Sequence, residues 1–225
     1  LVEDLLAFCD DLNADVVQIA ALSLRVALLA TIVACGLGIP AGLFLGSTAF
    51  AGRRALLIAL NTALALPTVV VGLAIYLLLS RHGPLGGLGL LFTWPAVVIA
   101  EIVLAFPIAA SLSAAAVQAV APRVRRTALT LGAGALRSGW AVAREARVAL
   151  LAVVAVAFGR VLSEVGAVLI VGGNIRHETR TLTTAITLAT SQGHFAMAVA
   201  LGLILLALAL TVNAVLQLLQ GRGDA

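Results

Sequence analysis

The fold is decided by the stretch IAALSLRVALLATIVACGLGIPAGLFL, Ile19–Leu45, which carries a single charged residue, Arg25. A helix that crosses a bilayer needs about 20 consecutive apolar residues, because each helical residue advances the chain by ~1.5 Å. This stretch is long enough. We therefore predict a transmembrane helix here and lipid as the solvent of the protein.

Four further apolar runs of similar length follow the first one. Of the 225 residues, 62% are hydrophobic and 11% are charged, whereas a soluble domain is roughly half apolar and about a quarter charged. This composition argues against a soluble helical bundle. Each run should be helical, because lipid offers no partner for free backbone groups. The predicted spans are Ile19–Leu45, Leu56–Leu79, Pro95–Val120, Ala149–Val171 and Phe195–Leu219.

These spans predict an all-α membrane protein with five transmembrane helices per chain, in a single transmembrane domain of residues 19–220. Three prolines fall within spans, namely Pro40, Pro67 and Pro107. Proline lacks the backbone N–H that a helix interior needs, so each is expected to bend or loosen its span.

The distribution of arginine predicts the orientation, because cytoplasmic segments of membrane proteins carry an excess of basic residues. With the connector Ala121–Val148 in the cytoplasm, nine arginines lie inside and three lie outside. The nine are Arg53, Arg54, Arg123, Arg125, Arg126, Arg137, Arg144, Arg147 and Arg222, and the three are Arg81, Arg176 and Arg180. The acidic segment 1–18 is then extracytoplasmic and the tail 221–225 cytoplasmic. The same bias explains the net charge of +4, so no nucleic-acid partner is expected.

Four charged residues lie inside the predicted spans: Arg25, Glu101, Arg160 and Glu164. Charges are costly in lipid and usually face the interior of a bundle or pair with one another. In the predicted topology, Arg25, Glu101 and Glu164 lie at a similar depth, ~10 Å below the outer surface. We predict a neutral ion-pair layer there. It either fixes the register of the helices or takes part in gating, and both interpretations stay open.

The connector Ala121–Val148 has the pattern of an amphipathic helix pair. Its apolar residues recur at spacings of three and four, which gives one stripe: Leu129, Ala133, Leu136, Trp140 and Ala143. Such a stripe docks into a groove on another protein or lies on the inner leaflet of the membrane.

Within that connector, TALTLGAGALRSGW resembles the EAA loop of ABC importer permeases. Ala128 and Gly132 match the loop, whereas Arg126 stands where the family has Glu and the later Ile-x-Leu-Pro ending is absent. Three longer stretches resemble the tungstate-type permeases: NTALALPTVVVGLAIYLLLSRHGPLG, FTWPAVVIAEIVLAFPIAASLSAA and FGRVLSEVGAVLIVGGNIRHETRTLTTAI. Molybdate permeases share a similar but distinct form of the last stretch.

The resemblance implies a type I importer fold in the bacterial inner membrane, with a second copy of the chain as partner. It also implies two cytoplasmic ATPase subunits and an extracytoplasmic oxyanion-binding protein. In this family the segment Arg126–Trp140 couples the spans to the ATPase. The coupling residues carried over are Ala128, Gly132, Ala133, Leu136, Arg137 and Trp140. Molybdate or another oxyanion remains an alternative substrate, and an ATPase-independent transporter or small channel is the competing class.

Tungstate is a dianion, so neutral donors rather than carboxylates should line its path. The candidate donors are Ser163, Asn174, Thr181, Thr183 and Thr184, and Glu164 is expected to be a partner of an arginine. At the outer mouth Arg176, His177 and Arg180 would attract the anion. Docking of the binding protein, or simple solvation, is the alternative role of these three.

Catalytic chemistry is not expected of this chain. It contains no Walker motif, so ATP and its magnesium would be bound by a partner subunit, and no catalytic set converges within a span. Cys9 and Cys35 lie too far apart along a helical chain for a disulfide, and the metal-ligand spacing of Cys and His is missing. No cofactor and no metal is therefore predicted.

Overall fold

The computed structural model describes the backbone of residues 2–221 and the side chains of residues 14–134 and 137–218. Within these bounds the regular structure is helical, which confirms the all-α prediction. The α-helices are α1 Val2–Ser47, α2 Arg53–Leu64, α3 Thr68–Leu79, α4 Trp94–Thr130, α5 Ala135–Glu145, α6 Arg147–Leu162, α7 Gly166–Gly172, α8 Leu182–Ser191 and α9 Phe195–Gly221. A short 3₁₀ turn, Gly86–Leu88, lies between α3 and α4. Residues 222–225 of the predicted tail, with Arg222, and the side chains of the first 13 residues lie outside the described part.

Three of the described helices are long and apolar enough to cross a membrane by themselves: Ala14–Ser47, Trp94–Thr130 and Phe195–Leu218. Two further pairs pass the same test only together, namely α2 with α3 and α6 with α7. The number of spans is therefore three, or up to five if each broken pair forms one span.

The predicted spans Leu56–Leu79 and Ala149–Val171 are thus not continuous helices. In the first, Pro67 precedes α3 as its N-cap residue, because a proline cannot donate a helical hydrogen bond and disfavours a helical residue before it. In the second, the break falls at residues 163–165 without any proline. There the Glu164 carboxylate accepts a hydrogen bond from the backbone N–H of Ala167, with 3.1 Å between Oε1 and N.

The helices form two compact units, each assembled from separate parts of the chain. Unit 1 contains the chain up to Ala30, Pro67–Glu101 and Leu162–Thr211. Unit 2 contains Thr31–Leu66, Ile102–Val161 and the chain from Val212 onward. Helices α1, α4 and α9 are divided between the units, and α6 contributes only its last residue, Leu162, to unit 1.

Unit 2 contains a seam of glycines at every fourth residue of α1: Gly38, Gly42 and Gly46. A Cβ atom at Gly38 would lie 2.6 Å from the Cβ of Ala109, and one at Gly42 would lie 2.5 Å from the Cβ of Ser113. Real Cβ atoms essentially never come within 3.0 Å of another heavy atom. The backbones of α1 and α4 therefore touch directly, as small residues allow in membrane helices.

Unit 1 has its own core around the start of α8. Leu182, Ala185 and Leu201 are buried there against apolar residues of α1, including Ile19. On the other side of the unit, α3 approaches α7 so closely that a Cβ at Gly72 would lie 2.7 Å from the Cα of Ala167. The packing of α7 and α8 within unit 1 positions the loop that joins them.

Candidate functional site

The loop between α7 and α8 is held in one conformation by Thr179, whose side chain is buried. Its hydroxyl donates to the carbonyl of Gly172 at 2.5 Å and accepts from the N–H of Ile175 at 2.9 Å. The carbonyl of Ile175 in turn accepts backbone hydrogen bonds from residues 178, 179 and 180. Asn174 and His177 have φ angles of 51° and 67°, a region that Asn and His adopt more readily than most residues. The loop is therefore a compact and well-bonded platform.

The threonines that follow the loop cap α8. Thr181 is the N-cap residue, and it exchanges hydrogen bonds with Thr184 in a capping box. Thr183 donates to the carbonyl of Glu164 at 2.8 Å. The Ser23 hydroxyl of α1 accepts from the N–H of Leu182 at 2.7 Å. These bonds fix the start of α8 to α1 and to the break between α6 and α7.

Four of the five predicted oxyanion-path donors thus lie together. Thr181, Thr183 and Thr184 are buried with their hydroxyls bonded within this cluster, and the amide of Asn174 donates to the carbonyl of Thr184. Ser163 is exposed in the break between α6 and α7. The hydrogen bonds give the threonines a structural role, and their part in an anion path stays a prediction.

Unit 1 also contains a cavity of about 260 Å³ that we name the arginine pocket. Its walls come from α1, from the first residue of α4 and from the α7–α8 loop. The charged and polar lining residues are Asp15, Gln18, Arg25, Arg176, His177, Glu178 and Arg180. The structure therefore brings the three predicted outer-mouth residues together and adds Arg25 to them.

The cations of the arginine pocket differ in their partners. Arg176 forms a salt bridge with Asp15, and the ring Nδ1 of His177 lies 2.7 Å from Oε1 of Gln18. Arg180 donates to the side chain and backbone oxygens of Asn174, at 3.2 and 3.4 Å. These contacts neutralise the charge of Arg176 but not that of Arg180.

Arg25 lies over the ring of Trp94, with 4.1 Å between its Cζ and the ring centroid. Such a cation–π contact contributes about 0.5–1 kcal/mol at an exposed site. It orients the guanidinium through one face and leaves the N–H groups at its edge available. Among the side chains of residues 14–134 and 137–218, neither Arg25 nor Arg180 forms a salt bridge with a carboxylate.

The other three members of the predicted charge layer have separate surroundings. Glu101 and Glu164 are 2% and 3% exposed, and Arg160 is half-buried. Each of the three has at least one polar or electrostatic interaction, as buried charges require. Arg25 lines the arginine pocket and lies over Trp94. The ion-pair layer of all four charges stays a prediction.

In unit 2, the segment from Arg126 to Arg147, which we name the α4–α5 segment, is a helix–turn–helix. Helix α4 ends in a left-handed turn at Gly132, whose φ is 77°. The N–H of Ala133 donates back to the carbonyl of Ala128 at 2.9 Å, a bond typical of helix C-termini that end in glycine. The predicted stripe therefore does not follow one helix, because Leu129 belongs to α4 and Trp140 to α5.

The two faces of α5 differ in size and burial. Ser138, Val142 and Ala146 are buried, and the latter two pack in a cluster with Val117 and Ala121 of α4. On the exposed side Trp140 has 74% of its surface accessible, and Arg137 is exposed as well. The side chain of Leu136 lies outside the described residues.

Large apolar side chains are also exposed at the end of α4, where Leu129 and Leu131 are 54% and 81% accessible. Beside them, Arg126 donates from Nε to the carbonyl of Pro122 at 2.9 Å, one turn back on its own helix. The side chain of Arg126 therefore finds a hydrogen-bond acceptor on its own helix, at the position where the EAA loops of ABC importer permeases have Glu. The segment thus exposes large apolar side chains, and open cavities of about 350 and 320 Å³ lie beside Trp140.

Several of these residues were missed at the sequence level: Thr179, Trp94, Asp15 and Ser23. Three of them act through contacts with residues more than 60 positions away, which no local pattern reveals. Thr179 had a local signal, because it follows a Gly-Gly-Asn turn. Within the described residues, no group of three or more His, Cys, Asp or Glu side chains could hold a metal ion.

Comparison with known proteins identifies the family. Residues 38–223 match the family described as binding-protein-dependent transport system inner membrane component. The chain belongs to this family. The permease is 43% identical over 210 residues to a probable anion ABC transporter permease protein of Haloferax volcanii, covering 91% of this chain and 90% of the relative.

A second relative of the permease is the tungstate uptake system permease protein TupB of Peptoclostridium acidaminophilum. It is 41% identical over 199 residues, covering 88% of this chain and 87% of the relative. The crystal structure of an amino acid ABC transporter with histidines matches with a TM-score of 0.71, over 96% of this chain and 97% of that chain. At 18% identity that match shows the fold alone.

The family membership confirms the predicted class of protein. The chain is the multi-pass, non-catalytic transmembrane component of an ABC transporter in the inner membrane, and it acts with an ATPase and a binding protein. ATP hydrolysis accordingly belongs to another subunit.

Proposed function

We propose that this permease carries tungstate into the cell as the membrane-spanning subunit of an ATP-driven oxyanion importer. The observation that carries the proposal is the 41% identity to a tungstate uptake permease over 88% of this chain. The relative from Haloferax volcanii, named a probable anion permease, supports the same class of substrate. Molybdate and other oxyanions are the alternative substrates.

The arginine pocket supports an anionic substrate. A cluster of cations in a concave surface raises the local concentration of an anion and speeds its capture. Guanidinium groups also match the geometry of tetrahedral oxyanions, to which they donate two parallel hydrogen bonds. The pocket holds three such groups, Arg25, Arg176 and Arg180.

The proposed topology places the arginine pocket outside and the α4–α5 segment in the cytoplasm. This topology rests on the distribution of arginines that flank the spans, with nine on the cytoplasmic side and three on the outer side. The N-terminus is then outside and the C-terminus inside. Cysteines introduced at the exposed positions His82 and Leu131, in a chain without its native cysteines, test this arrangement. A membrane-impermeant maleimide should label the cysteine at 82 in intact cells and the one at 131 only after lysis, and the reverse pattern would invert the topology.

The proposed assembly contains two copies of the permease, two ATPase subunits and an oxyanion-binding protein. In it, closure of the ATPase dimer pushes on the α4–α5 segment and moves the spans between inward-open and outward-open states. Trp140, Leu129 and Leu131 are suited to this contact, because exposed apolar groups of this size usually mark an interaction surface. The cation of Arg137 lies on the same helix.

Uptake into proteoliposomes tests the function. The permease is reconstituted with its ATPase, the binding protein is added outside, and tungsten inside the vesicles is measured by mass spectrometry. We expect accumulation that requires ATP in the ATPase compartment and is competed by molybdate more strongly than by sulfate. Uptake of tungstate at the same rate without ATP would support the competing class, an ATPase-independent transporter. ATP-dependent uptake of sulfate alone would contradict tungstate as the substrate.

A further inference from the structure

We propose that the arginine pocket is a binding site for one free tetrahedral oxyanion, and that the Asp15 carboxylate occupies part of it until the ion arrives. The inference rests on the proposed function, which it deepens by naming a receiving site on the permease itself. The pocket belongs to unit 1, and every residue that forms it is among the described side chains.

The charges of the pocket are arranged to accept an anion. Six ionisable groups line it, of which three are arginines, one is His177 and two are the carboxylates of Asp15 and Glu178. Among the described cationic side chains, Arg176 and His177 alone lie within 4 Å of a carboxylate oxygen of Asp15. The positive charges of Arg25 and Arg180 are therefore not compensated by a salt bridge to a carboxylate of the described residues.

These two guanidinium groups are held in place by uncharged partners. Arg25 is stacked on Trp94, and Arg180 is bonded to the two oxygens of Asn174. A guanidinium has five N–H donors, so both keep donors for another acceptor. Asn174 is itself fixed by the loop that Thr179 stabilises, which means that the donors around the cavity are preorganised.

The size of the pocket fits a small ion. Its volume of about 260 Å³ equals that of roughly eight or nine water molecules, at ~30 Å³ each. A tetrahedral ion of four oxygens fits there with several waters of hydration. Arg176 and His177 line the cavity and are exposed, so a hydrated ion can reach it from solvent.

Asp15 acts in this proposal as an internal competitor. Its carboxylate is an acceptor-only group that forms a salt bridge with Arg176 and lies 3.8 Å from Nδ1 of His177. A dianion interacts with the guanidinium groups more strongly than a single carboxylate does, since it carries twice the charge and more acceptor oxygens. Binding of the ion should therefore displace Asp15 from Arg176.

Direct binding tests the site. The permease–ATPase complex is placed in nanodiscs of phosphatidylcholine without the binding protein, and bound tungsten per complex is measured by equilibrium dialysis with sodium tungstate. The double variant Arg25→Gln and Arg180→Gln should bind at least about tenfold more weakly, because each loses a charge-assisted hydrogen bond. Arg81→Gln is the matched control, since Arg81 is exposed in the loop between α3 and α4 and does not line the pocket.

Variants of Asp15 separate competition from structural support. Asp15→Asn should bind tungstate several-fold more tightly than the unaltered protein, whereas Asp15→Glu should behave like it. Weaker binding by Asp15→Asn would overturn the role of Asp15 as a competitor. Thermal unfolding of each variant complex, which should match that of the unaltered complex, shows that the fold is intact.

The phosphate of a lipid headgroup offers the same tetrahedral chemistry. Replacing half of the phosphatidylcholine by phosphatidylglycerol distinguishes it from a free ion: unchanged tungstate affinity supports the free ion, and strong competition supports the headgroup and overturns the proposal. Absence of saturable tungstate binding in every variant also overturns it.

A result in which the double variant imports tungstate normally rejects the pocket and leaves the proposed function standing. Tungstate binding without any ATP-driven uptake would instead support the pocket and contradict the proposed function.

Discussion

The arginine pocket and the α4–α5 segment are built in opposite ways. The pocket collects residues from α1, from the start of α4 and from the α7–α8 loop, and it relies on charge held by hydrogen bonds. The α4–α5 segment is one continuous piece of chain, and it relies on a turn at Gly132, a small buried face and a large exposed apolar face. Binding an ion therefore depends on tertiary contacts, whereas docking a partner depends on local shape.

The most severe test of local shape is Gly132→Val. A β-branched residue at a φ of 77° is strained by roughly 1–2 kcal/mol or more, so the turn between α4 and α5 should change its direction. We expect ATP-driven uptake to fall by about tenfold or more while the protein still inserts in the membrane. Gly139→Ala is the matched control, since both glycines have open space at the Cβ position but only Gly132 has a positive φ. Equal uptake by the two variants would contradict the role of the turn.

The corresponding test of the pocket is Thr179→Val, which keeps the shape of the side chain and removes its hydroxyl. It leaves the carbonyl of Gly172 and the N–H of Ile175 without this partner. The buried carbonyl of Gly172 alone should cost about 1–3 kcal/mol. Thermal unfolding in detergent should shift to lower temperature, and the KM for tungstate uptake should rise. Thr190→Val provides the control, because that exposed hydroxyl bonds only within its own helix. A Thr179→Val protein with unchanged unfolding and KM would show that the loop does not depend on Thr179.

A smaller effect is expected for Trp140→Ala, which tests docking of the ATPase separately from the stability of the permease. The side chain is 74% exposed, so the unfolding temperature should change little. Co-purification with the ATPase should weaken by about tenfold, since truncation of an aromatic anchor at an interface often costs 1–2 kcal/mol or more. Phe195→Ala, at a 65% exposed aromatic residue of α9, should leave co-purification unchanged. If both substitutions weaken it equally, the α4–α5 segment is not the docking surface.

The smallest effect is expected for Arg126→Glu, which restores the residue of the resembling loops. The exposed arginine bonds only to the carbonyl of Pro122 in the described structure, and exposed charges contribute about 0–1 kcal/mol. Uptake and ATPase binding should therefore stay within about fivefold of the unaltered protein, by the same measure. A larger change, measured in the same vesicles, would show that charge as well as shape determines this contact.

The sequence predicted the helices and the membrane family because long apolar runs and contiguous motifs are local properties. Gly132 was singled out as a match to the EAA loop, but the turn there was not predicted, because the apolar stripe was drawn across it from Leu129 to Ala143. The break at residues 163–165 was not predicted either, because no proline or glycine pair causes it and its hydrogen bonds come from Glu164 and Thr183. The sequence also placed Arg25 in a charge layer by its depth alone, and only the fold shows that it lies over Trp94.

The sequence indicated those residues of the pocket that are neighbours in the chain and not those that are distant. Arg176, His177 and Arg180 were considered together because they share one loop, and their role at an outer mouth stays a prediction. Asp15 and Trp94 were missed, since their positions in the sequence carry no sign of a shared cavity. Their contacts follow from the packing of α1 and α8 around Ile19 and Leu182, which no local pattern describes.

The glycine seam of α1 has a consequence for how this chain tolerates genetic change. Every amino acid other than glycine carries a Cβ atom, so any missense mutation in the codons of Gly38, Gly42 or Gly46 places an atom where the backbone or side chains of α4 already lie. By contrast, Gly36, on the same helix, has open space at that position. A saturation library can be selected under conditions in which growth requires tungstate uptake. Alanine should then be depleted at positions 38, 42 and 46 and tolerated at position 36.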